Sequence, residues 1–232
     1  ADVTELRDSM AKVAHLALHD SLTGLPNLKL FVQQTDDALA RMRRNGTRAA
    51  TFCLDLDQFA AVNDALGFAF GDKVIQLVAE RLRGLMRETD TIARISGDGF
   101  AILADSLAQE QDATILGQRL LDILGVPYLI EGQQVTVTAS IGIALAPADA
   151  TETDQLIRNA QMAMKRAKQQ GRNSFQFFEQ SMDARMRERR QLEADLRTAI
   201  TRGEFELYYQ PQLNLGSGRI TGLEALIRWH HP

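Results

Sequence analysis

The sequence predicts an α+β fold, with a central, mainly antiparallel sheet flanked by helices. Apolar runs typical of buried strands alternate with segments of helical period along the first 178 residues. Two predicted strands, 92–95 and 100–104, are joined by a tight Gly-Asp-Gly turn, which indicates a hairpin and therefore an antiparallel pair. Strands in this order with helices between them favour a sheet covered by helices.

Composition narrows the function classes. The chain has 232 residues, of which 45% are hydrophobic and 24% charged, so it can bury a full core. Its formal net charge of −4 argues against nucleic acid as a partner, although a local pocket for one nucleotide stays compatible with it. The single cysteine, Cys53, lies in an apolar run and is predicted to fill the core of a cytoplasmic protein. No apolar stretch reaches membrane-spanning length, so this segment is predicted to make no membrane contact, and anchoring elsewhere in a parent protein stays open.

The predicted elements follow in order. A helix over 2–18 has apolar residues at a 4-3-4 spacing, which indicates either a coiled-coil seam of a homodimer or a capping helix packed on its own domain. A charged helix over 179–203 is predicted to connect the domain 19–178 with the last segment, 204–232. The other predicted helices are 28–45, 59–66, 72–86, 109–124 and 153–171, and the other strands are 49–56, 126–130 and 134–145.

Two acidic side chains stand at predicted strand ends. Asp55 ends a buried apolar strand, and Asp98 lies in the Gly-Asp-Gly turn. Carboxylates carried in this way can hold Mg²⁺ beside a triphosphate, whereas a Gly-Asp-Gly turn on its own is more often only a hairpin turn.

Six motifs occur in order around these acids and resemble the GGDEF family of diguanylate cyclases, from about residue 15 to residue 178. The resemblance implies the nucleotidyl-cyclase palm-like form of the α+β fold. The signature is degenerate, because Ser96 stands where the family has its first Gly and Gly99 where it has Glu. Asp2–Glu5 also resembles the end of a PAS sensor domain. The six motifs are His19–Asn27, Asp55–Phe59, Asn63-Asp64, Gly71-Asp72, Thr138–Gly142 and Ala167–Asn173.

The resemblance implies a weakened Mg²⁺ site. Asp55 and Asp98 match the family's metal carboxylates, whereas Gly99 removes the Glu used for metal binding and proton transfer. The family condenses two GTP molecules by attack of a 3′-hydroxyl on an α-phosphate, a reaction that needs two divalent ions. We therefore expect no catalytic residue and no cyclase activity. Further departures are Ala60 for Lys, Phe68 for His, Gln161 for Asp and Lys165 for Tyr.

Nucleotide binding is a separate prediction. By resemblance, Asn63 and Asp72 read guanine, and Lys168 and Arg172 contact the triphosphate. The residues alone leave other interpretations open: Asp72 could be the N-cap of a helix, and Lys168 and Arg172 could be basic residues favoured by a helix dipole.

A second predicted site is an inhibitory-type cyclic di-GMP site. Arg87 and Asp90 form an RxxD motif at the family's spacing, and Arg119 on the next helix could supply a second arginine. The alternative is an ordinary ion pair between residues three apart at a helix end.

The last segment, 204–232, resembles the start of an EAL domain, the family of cyclic di-GMP phosphodiesterases. Glu224 matches a metal ligand of that family, effective only if the domain is completed, and Gln210 and Arg228 match substrate contacts. The adjacent His230 and His231 are predicted to be polar surface residues, because adjacent strand residues diverge.

The sequence thus predicts a cyclic di-GMP signalling protein. Its degenerate GGDEF domain would bind GTP or cyclic di-GMP and regulate a downstream EAL domain, with a PAS-type sensor upstream in a parent protein that could itself be a phosphodiesterase. The alternatives are a weakly active diguanylate cyclase and a ligand-free structural or dimerisation module.

Overall fold

The computed structural model describes residues 17–179, 192, 195–197, 199–200 and 202–229. The chain divides into two units, Ala1–Gln180 and Ser181–Pro232. The predictions for residues 1–16, for His230 and His231, and for most of the connector helix lie outside the described residues. None of the described helices is long and apolar enough to cross a membrane.

A five-stranded sheet in the order β2-β3-β1-β6-β7 forms the centre of the first unit. The pairs β1–β3, β1–β6 and β2–β3 are antiparallel and β6–β7 is parallel, which confirms the predicted mainly antiparallel sheet. β4 and β5 form a separate small hairpin. The strands are β1 (Arg48–Leu56), β2 (Thr91–Ser96), β3 (Gly99–Leu107), β4 (Tyr128–Ile130), β5 (Gln133–Val135), β6 (Ala139–Ala146) and β7 (Ser174–Phe177).

Five helices flank this sheet among the described residues of the first unit. Asn27 caps α1, because its side chain accepts the Leu30 backbone N–H at 3.2 Å, and Gly46 ends α1 in the left-handed conformation. The helices are α1 (Leu28–Asn45), α2 (Phe59–Leu66), α3 (Phe68–Leu85), α4 (Gln111–Leu124) and α5 (Thr153–Gln169).

The start of α3 corrects one prediction. The helix begins at Phe68 rather than at residue 72, because Gly67 alone (φ 84°, ψ 159°) separates it from α2. Asp72 therefore lies in the second turn of α3, and its interpretation as an N-cap is wrong.

The predicted strand 134–145 is in fact two strands, β5 and β6. Thr138, between them, is held by Asp57: its carbonyl accepts the Asp57 backbone N–H at 2.8 Å and its hydroxyl donates to the Asp57 carboxylate at 2.8 Å. Residues 136–138 belong to neither strand, and these two bonds tie Thr138 to the end of β1.

The sheet is covered on both faces. On one face, Phe52 and Leu54 belong to the main apolar cluster together with residues of α3 and α4. On the other, α5 packs so closely that the Cys53 Sγ lies 3.8 Å from the Ile157 carbonyl oxygen. β1 is thus buried on both sides, which explains its nearly continuous apolar run.

The second unit contains an antiparallel hairpin of β8 (Phe205–Leu213) and β9 (Ile220–Trp229). The rings of Phe205 and Trp229 lie 5.9 Å apart at its open end, and the Trp229 Nε1 donates to the Glu204 carboxylate at 3.0 Å.

Candidate nucleotide site

The end of β1 and the β2–β3 turn bring two carboxylates together. Asp55 pairs in register with Gly99, and the Leu56 backbone N–H donates to the Asp98 carbonyl at 3.3 Å. Burial, and then the neighbouring Asp55 charge, raise the pKa of the Asp98 carboxyl above its usual value. Asp55 and Asp98 therefore form one acidic pair, as the sequence predicted.

Lys168 is the cation at this pair. It lies in the last turn of α5, and its ammonium forms an ion pair with the Asp55 carboxylate, 113 residues away in sequence. Both side chains are partly buried, Asp55 with 19% and Lys168 with 34% of the side chain exposed. Lys168, which we expected to contact a triphosphate, is thus paired with Asp55, which we expected to bind a metal.

Among the described residues, Asp55 and Asp98 are not joined by a third metal-ligating side chain. Across the part of the chain that the structure describes, no group of three His, Cys, Asp or Glu side chains is placed to hold a metal ion. The next carboxylate along the chain, Asp57, accepts hydrogen bonds from the Thr138 hydroxyl at 2.8 Å, from the Ser140 hydroxyl at 2.6 Å and from the Asn173 backbone N–H at 3.0 Å. Asp57 therefore holds the strands and the loop after α5 in place.

Gly99, where the family has Glu, is crowded by Ser96. A Cβ placed on Gly99 would lie 2.6 Å from the Ser96 Oγ, closer than real Cβ contacts allow. Ser96 and Gly99, the two departures from the family signature, are therefore neighbours in the structure. A side chain at position 99 would require the Ser96 side chain to move.

A cavity of about 280 Å³ opens beside the turn. Asn63 on α2 and Asp72 on α3 both line it, so the structure brings the predicted guanine-reading pair together. Gly71 permits this arrangement, because a Cβ there would lie 1.9 Å from the Asn63 Oδ1. Phe68, with 78% of its surface exposed, lies at the rim. The remaining lining residues are Phe59, Ala60, Ile75, Arg94, Gly97 and Asp98.

Arg172, the other predicted phosphate contact, does not line this cavity. It is exposed in a left-handed conformation (φ 63°) after α5, with its backbone N–H donating to the Ala167 carbonyl at 3.1 Å. Neither Lys168 nor Arg172 lines the cavity of Asn63 and Asp72, but burial raises the pKa of Asp98, which does line it, and the Lys168 charge partly offsets that rise.

Arg94 is a site residue that the sequence reasoning missed. Its guanidinium donates to both carboxylate oxygens of Asp20, at 3.0 and 3.1 Å, and to the Gly97 carbonyl at 2.6 and 2.9 Å. Burial raises the pKa of Asp20, but hydrogen bonds from Thr23 and Arg94 outweigh it and leave the pKa below its usual value. This pair fixes the signature turn. The sequence shows an arginine two residues before Ser96 and an acid in the first motif, but nothing in it pairs the two across 74 residues.

A larger open groove of about 730 Å³ lies on the α1 side of the turn, against Leu28, Val32 and Ser96. None of the predicted nucleotide ligands lines it.

Arg87, Asp90 and Arg119 line one separate cavity of about 320 Å³. The Asp90 carboxylate accepts the Arg87 backbone N–H at 3.0 Å, so these two residues form a capped turn rather than the ion pair considered as the alternative. Asp105 and Asp112 also line the cavity, but Asp105 is bound by Arg41 at 2.9 Å and Asp112 accepts two backbone N–H groups. Within the described residues, neither Arg87 nor Arg119 forms an ion pair.

In the second unit, register places Gln210 directly opposite Glu224. Arg228, four residues further along β9, lies on the same face because strand side chains alternate, and its guanidinium carbon is 5.7 Å from the Tyr208 ring centroid. The hairpin thus gathers the three predicted EAL residues on one face.

Comparison with known families agrees with this architecture. The profile of the GGDEF domain of diguanylate cyclases matches residues 17–174, and that of the EAL domain matches residues 193–232. The chain therefore belongs to the GGDEF family and continues into the start of an EAL domain, which confirms the resemblance read from the motifs.

Among curated relatives, the chain is 43% identical over 229 residues to the "Bifunctional diguanylate cyclase/cyclic di-GMP phosphodiesterase MucR" of Pseudomonas aeruginosa. It is 39% identical over 230 residues to the "Cyclic di-GMP phosphodiesterase NbdA" of the same organism. Each alignment covers 99% of this chain but only 33% of MucR and 29% of NbdA, so the chain spans about a third of their length.

Among solved structures, the GGDEF domain of TpbB (YfiN) from Pseudomonas aeruginosa superposes with a TM-score of 0.71 at 36% identity, over 73% of this chain and 99% of that one. The coiled coil and GGDEF domain of DgcB from Caulobacter crescentus, in complex with c-di-GMP, gives 0.66 at 27% identity, over 75% and 93%. The palm-like α+β fold of the family is thereby confirmed.

Proposed function

We propose that this GGDEF domain does not condense GTP and instead binds GTP or cyclic di-GMP to regulate a following EAL phosphodiesterase. The observation that carries the proposal is the acidic end of the site, where Gly99 contributes no carboxylate and Asp55 is paired with Lys168. Cyclisation needs divalent ions to neutralise the phosphates and to lower the pKa of the attacking hydroxyl. Loss of that charge stabilisation lowers the rate by roughly a thousandfold or more.

Guanine recognition is supported by the cavity that Asn63 and Asp72 share. A carboxylate accepts the two donors of a guanine edge, N1–H and N2–H, and an amide can both donate to and accept from the same base. Adenine lacks this pair of donors, so the cavity favours GTP over ATP. Arg172, exposed after α5, is the proposed phosphate contact.

Cyclic di-GMP binding is supported by the second cavity. Arg87 and Arg119 present planar donors suited to phosphate or to the acceptor edge of guanine. The DgcB structure described as a c-di-GMP complex has the same fold.

Regulation is supported by the EAL segment in the same chain and by NbdA, whose name describes a phosphodiesterase. Glu224, once the EAL domain is complete, would bind its metal, with Gln210 and Arg228 on the substrate. A PAS-type sensor upstream, a homodimer through the N-terminal helix and a cytoplasmic location belong to the same proposal.

A weakly active cyclase is the second candidate, because MucR, the relative at 43% identity, is named as bifunctional. The test is incubation of the purified chain with GTP and Mg²⁺, followed by chromatography of the products. We expect no cyclic di-GMP above background and saturable binding of GTP but not of ATP in calorimetry, with the preference lost in Asp72→Ala. Steady product formation would establish the cyclase, and absence of binding by GTP and cyclic di-GMP alike would leave a structural module.

A further inference from the structure

Phe68 is an exposed aromatic side chain at the rim of the cavity that Asn63 and Asp72 share. It lines this cavity with 78% of its surface exposed, whereas every other phenylalanine among the described residues is buried or half-buried. A single exposed apolar side chain is ordinary on a protein surface, so the exposure alone indicates nothing. Its position beside polar side chains in a concave site is what indicates a ligand.

The helical repeat places Phe68 next to the polar side chains of the cavity. Residues three and four apart on a helix are neighbours on one face, so Phe68, Asp72 and Ile75 form a stripe along α3, and all three line the cavity. On the other side, α2 contributes Ala60 and Asn63, which are three residues apart. The cavity is thus a cleft between two helices, with a carboxylate and an amide beside apolar walls.

This arrangement suits the two kinds of surface that a purine base presents. The edge of guanine carries donors and acceptors, which the Asn63 amide and the Asp72 carboxylate can satisfy. The two faces of the base are π-surfaces, which stack on aromatic side chains in proteins that bind unpaired bases. Two aromatic side chains line the cavity, and since Phe59 is buried, Phe68 is the one whose ring is accessible to a ligand.

Two departures from the family pattern lie in this cleft. Phe68 stands where the family has His and Ala60 where it has Lys, so each replaces a polar side chain by an apolar one. The guanidinium of Arg94, which also lines the cavity, donates to Asp20 and to the Gly97 carbonyl. The side chains of the cleft therefore favour contact with the base over contact with the phosphates.

We propose that the ring of Phe68 stacks on the guanine base and holds the edge of the base against Asn63 and Asp72. This inference rests on the proposed function, since it assigns a further contact in the same guanine pocket. Every base has a π-face, so stacking adds affinity without selecting the base. Hydrogen bonds at the edge select guanine, and the two contributions can be measured apart.

Calorimetric titration of the 232-residue chain with GTP and with inosine triphosphate separates these contributions. Phe68→Ala should weaken the binding of both nucleotides by the same factor, about 5- to 150-fold. Asp72→Ala should instead reduce the ratio of the two affinities, because inosine lacks the N2 amino group that this carboxylate binds. Unchanged GTP affinity in Phe68→Ala would overturn the stacking contact alone, whereas absence of GTP binding by the unaltered chain would overturn the guanine pocket as well.

Variants of graded shape distinguish stacking from a merely apolar or structural role. Phe68→Trp should bind GTP at least as tightly as the unaltered chain, because its aromatic face is larger. Phe68→Leu is apolar without a π-face and should bind almost as weakly as Phe68→Ala, so full affinity in this variant would contradict the proposal. The matched control is Leu129→Ala, which removes a similarly exposed apolar side chain outside the cavity and should leave GTP binding unchanged.

Phe68→Trp also gives a spectroscopic test, because a guanine base stacked on an indole ring quenches its fluorescence. The chain has one natural tryptophan, Trp229, so the unaltered chain titrated in parallel supplies the background signal. GTP should quench the added emission of Phe68→Trp with the dissociation constant that calorimetry gives. Saturable GTP binding without this quenching would overturn the proposal.

Discussion

Gly99 and Ser96 should be energetically coupled, and a double-mutant cycle can measure the coupling. Gly99 is buried at the start of β3, whereas Ser96 is exposed at the end of β2. A Cβ at position 99 would lie 2.6 Å from the Ser96 Oγ, and the next atoms, the Ile95 Cγ1 and the Ser96 carbonyl oxygen, are both at an ordinary 3.6 Å. The conflict therefore involves a single oxygen.

The magnitude follows from this geometry. The Ser96 Oγ must move by about 1 Å to reach a normal contact distance, which an exposed hydroxyl can do by leaving its rotamer, at about 0.5–1.5 kcal/mol. Gly99 is not at positive φ, and alanine in a strand gains about 0.5–1 kcal/mol over glycine. Gly99→Ala should thus be neutral or destabilising with Ser96 present and stabilising in a Ser96→Gly background.

Urea denaturation of the four chains, followed by far-ultraviolet circular dichroism, gives the free energies of unfolding. We expect a coupling energy of about 1 kcal/mol between the two positions. Additive effects, within about 0.3–0.5 kcal/mol, would refute the reasoning. For function, Gly99→Glu alone should then restore little cyclase activity, because Ser96, Ala60 and the Lys168–Asp55 pair all remain.

Three further predictions concern other parts of the domain. Gly142→Ala should destabilise the fold by about 3 kcal/mol or more, because its Cβ would lie 1.9 Å from the Ala160 carbonyl oxygen on α5. The control Gly84→Ala has open space around its Cβ in the last turn of α3 and should stabilise the fold by up to about 1 kcal/mol in the same urea assay. Burial raises the pKa of the Cys53 thiol to about 12, so the native protein should resist iodoacetamide at mildly alkaline pH and react only on unfolding, and alkylation at the rate of a free thiol would contradict its burial. Arg87→Ala should abolish cyclic di-GMP binding in calorimetry and leave GTP binding unchanged, with the exposed Arg44→Ala as control, and equal loss in both variants would remove Arg87 from the site.

Local sequence patterns predicted the helices and strands, whereas the long-range ion pairs could not be predicted from them. The Gly-Asp-Gly turn, the Asn45-Gly46 stop and the apolar run of β1 each act within a few residues, and the structure has the hairpin, the helix end and the central strand there. The pairs Lys168–Asp55 and Arg94–Asp20 join residues 113 and 74 positions apart, so no local pattern encodes them. The late start predicted for α3 has a different cause: Asp72 is a good N-cap by type, but only Gly67 separates α2 from α3, so the helix begins four residues earlier.

The two ends of the candidate nucleotide site are built on different helices and strands, so the residues at one end can change without altering the other. Asn63 and Asp72 are positioned by α2 and α3, with Gly71 providing the space between them. Asp55, Asp98 and Gly99 belong to the strand ends, where the backbone pairing of β1 with β3 is independent of the side chain at position 99. The absence of a carboxylate at position 99 therefore leaves the sheet and the cavity of Asn63 and Asp72 unchanged, and an ammonium from α5 pairs with Asp55. A domain built in this way can lose phosphoryl transfer and keep a binding pocket.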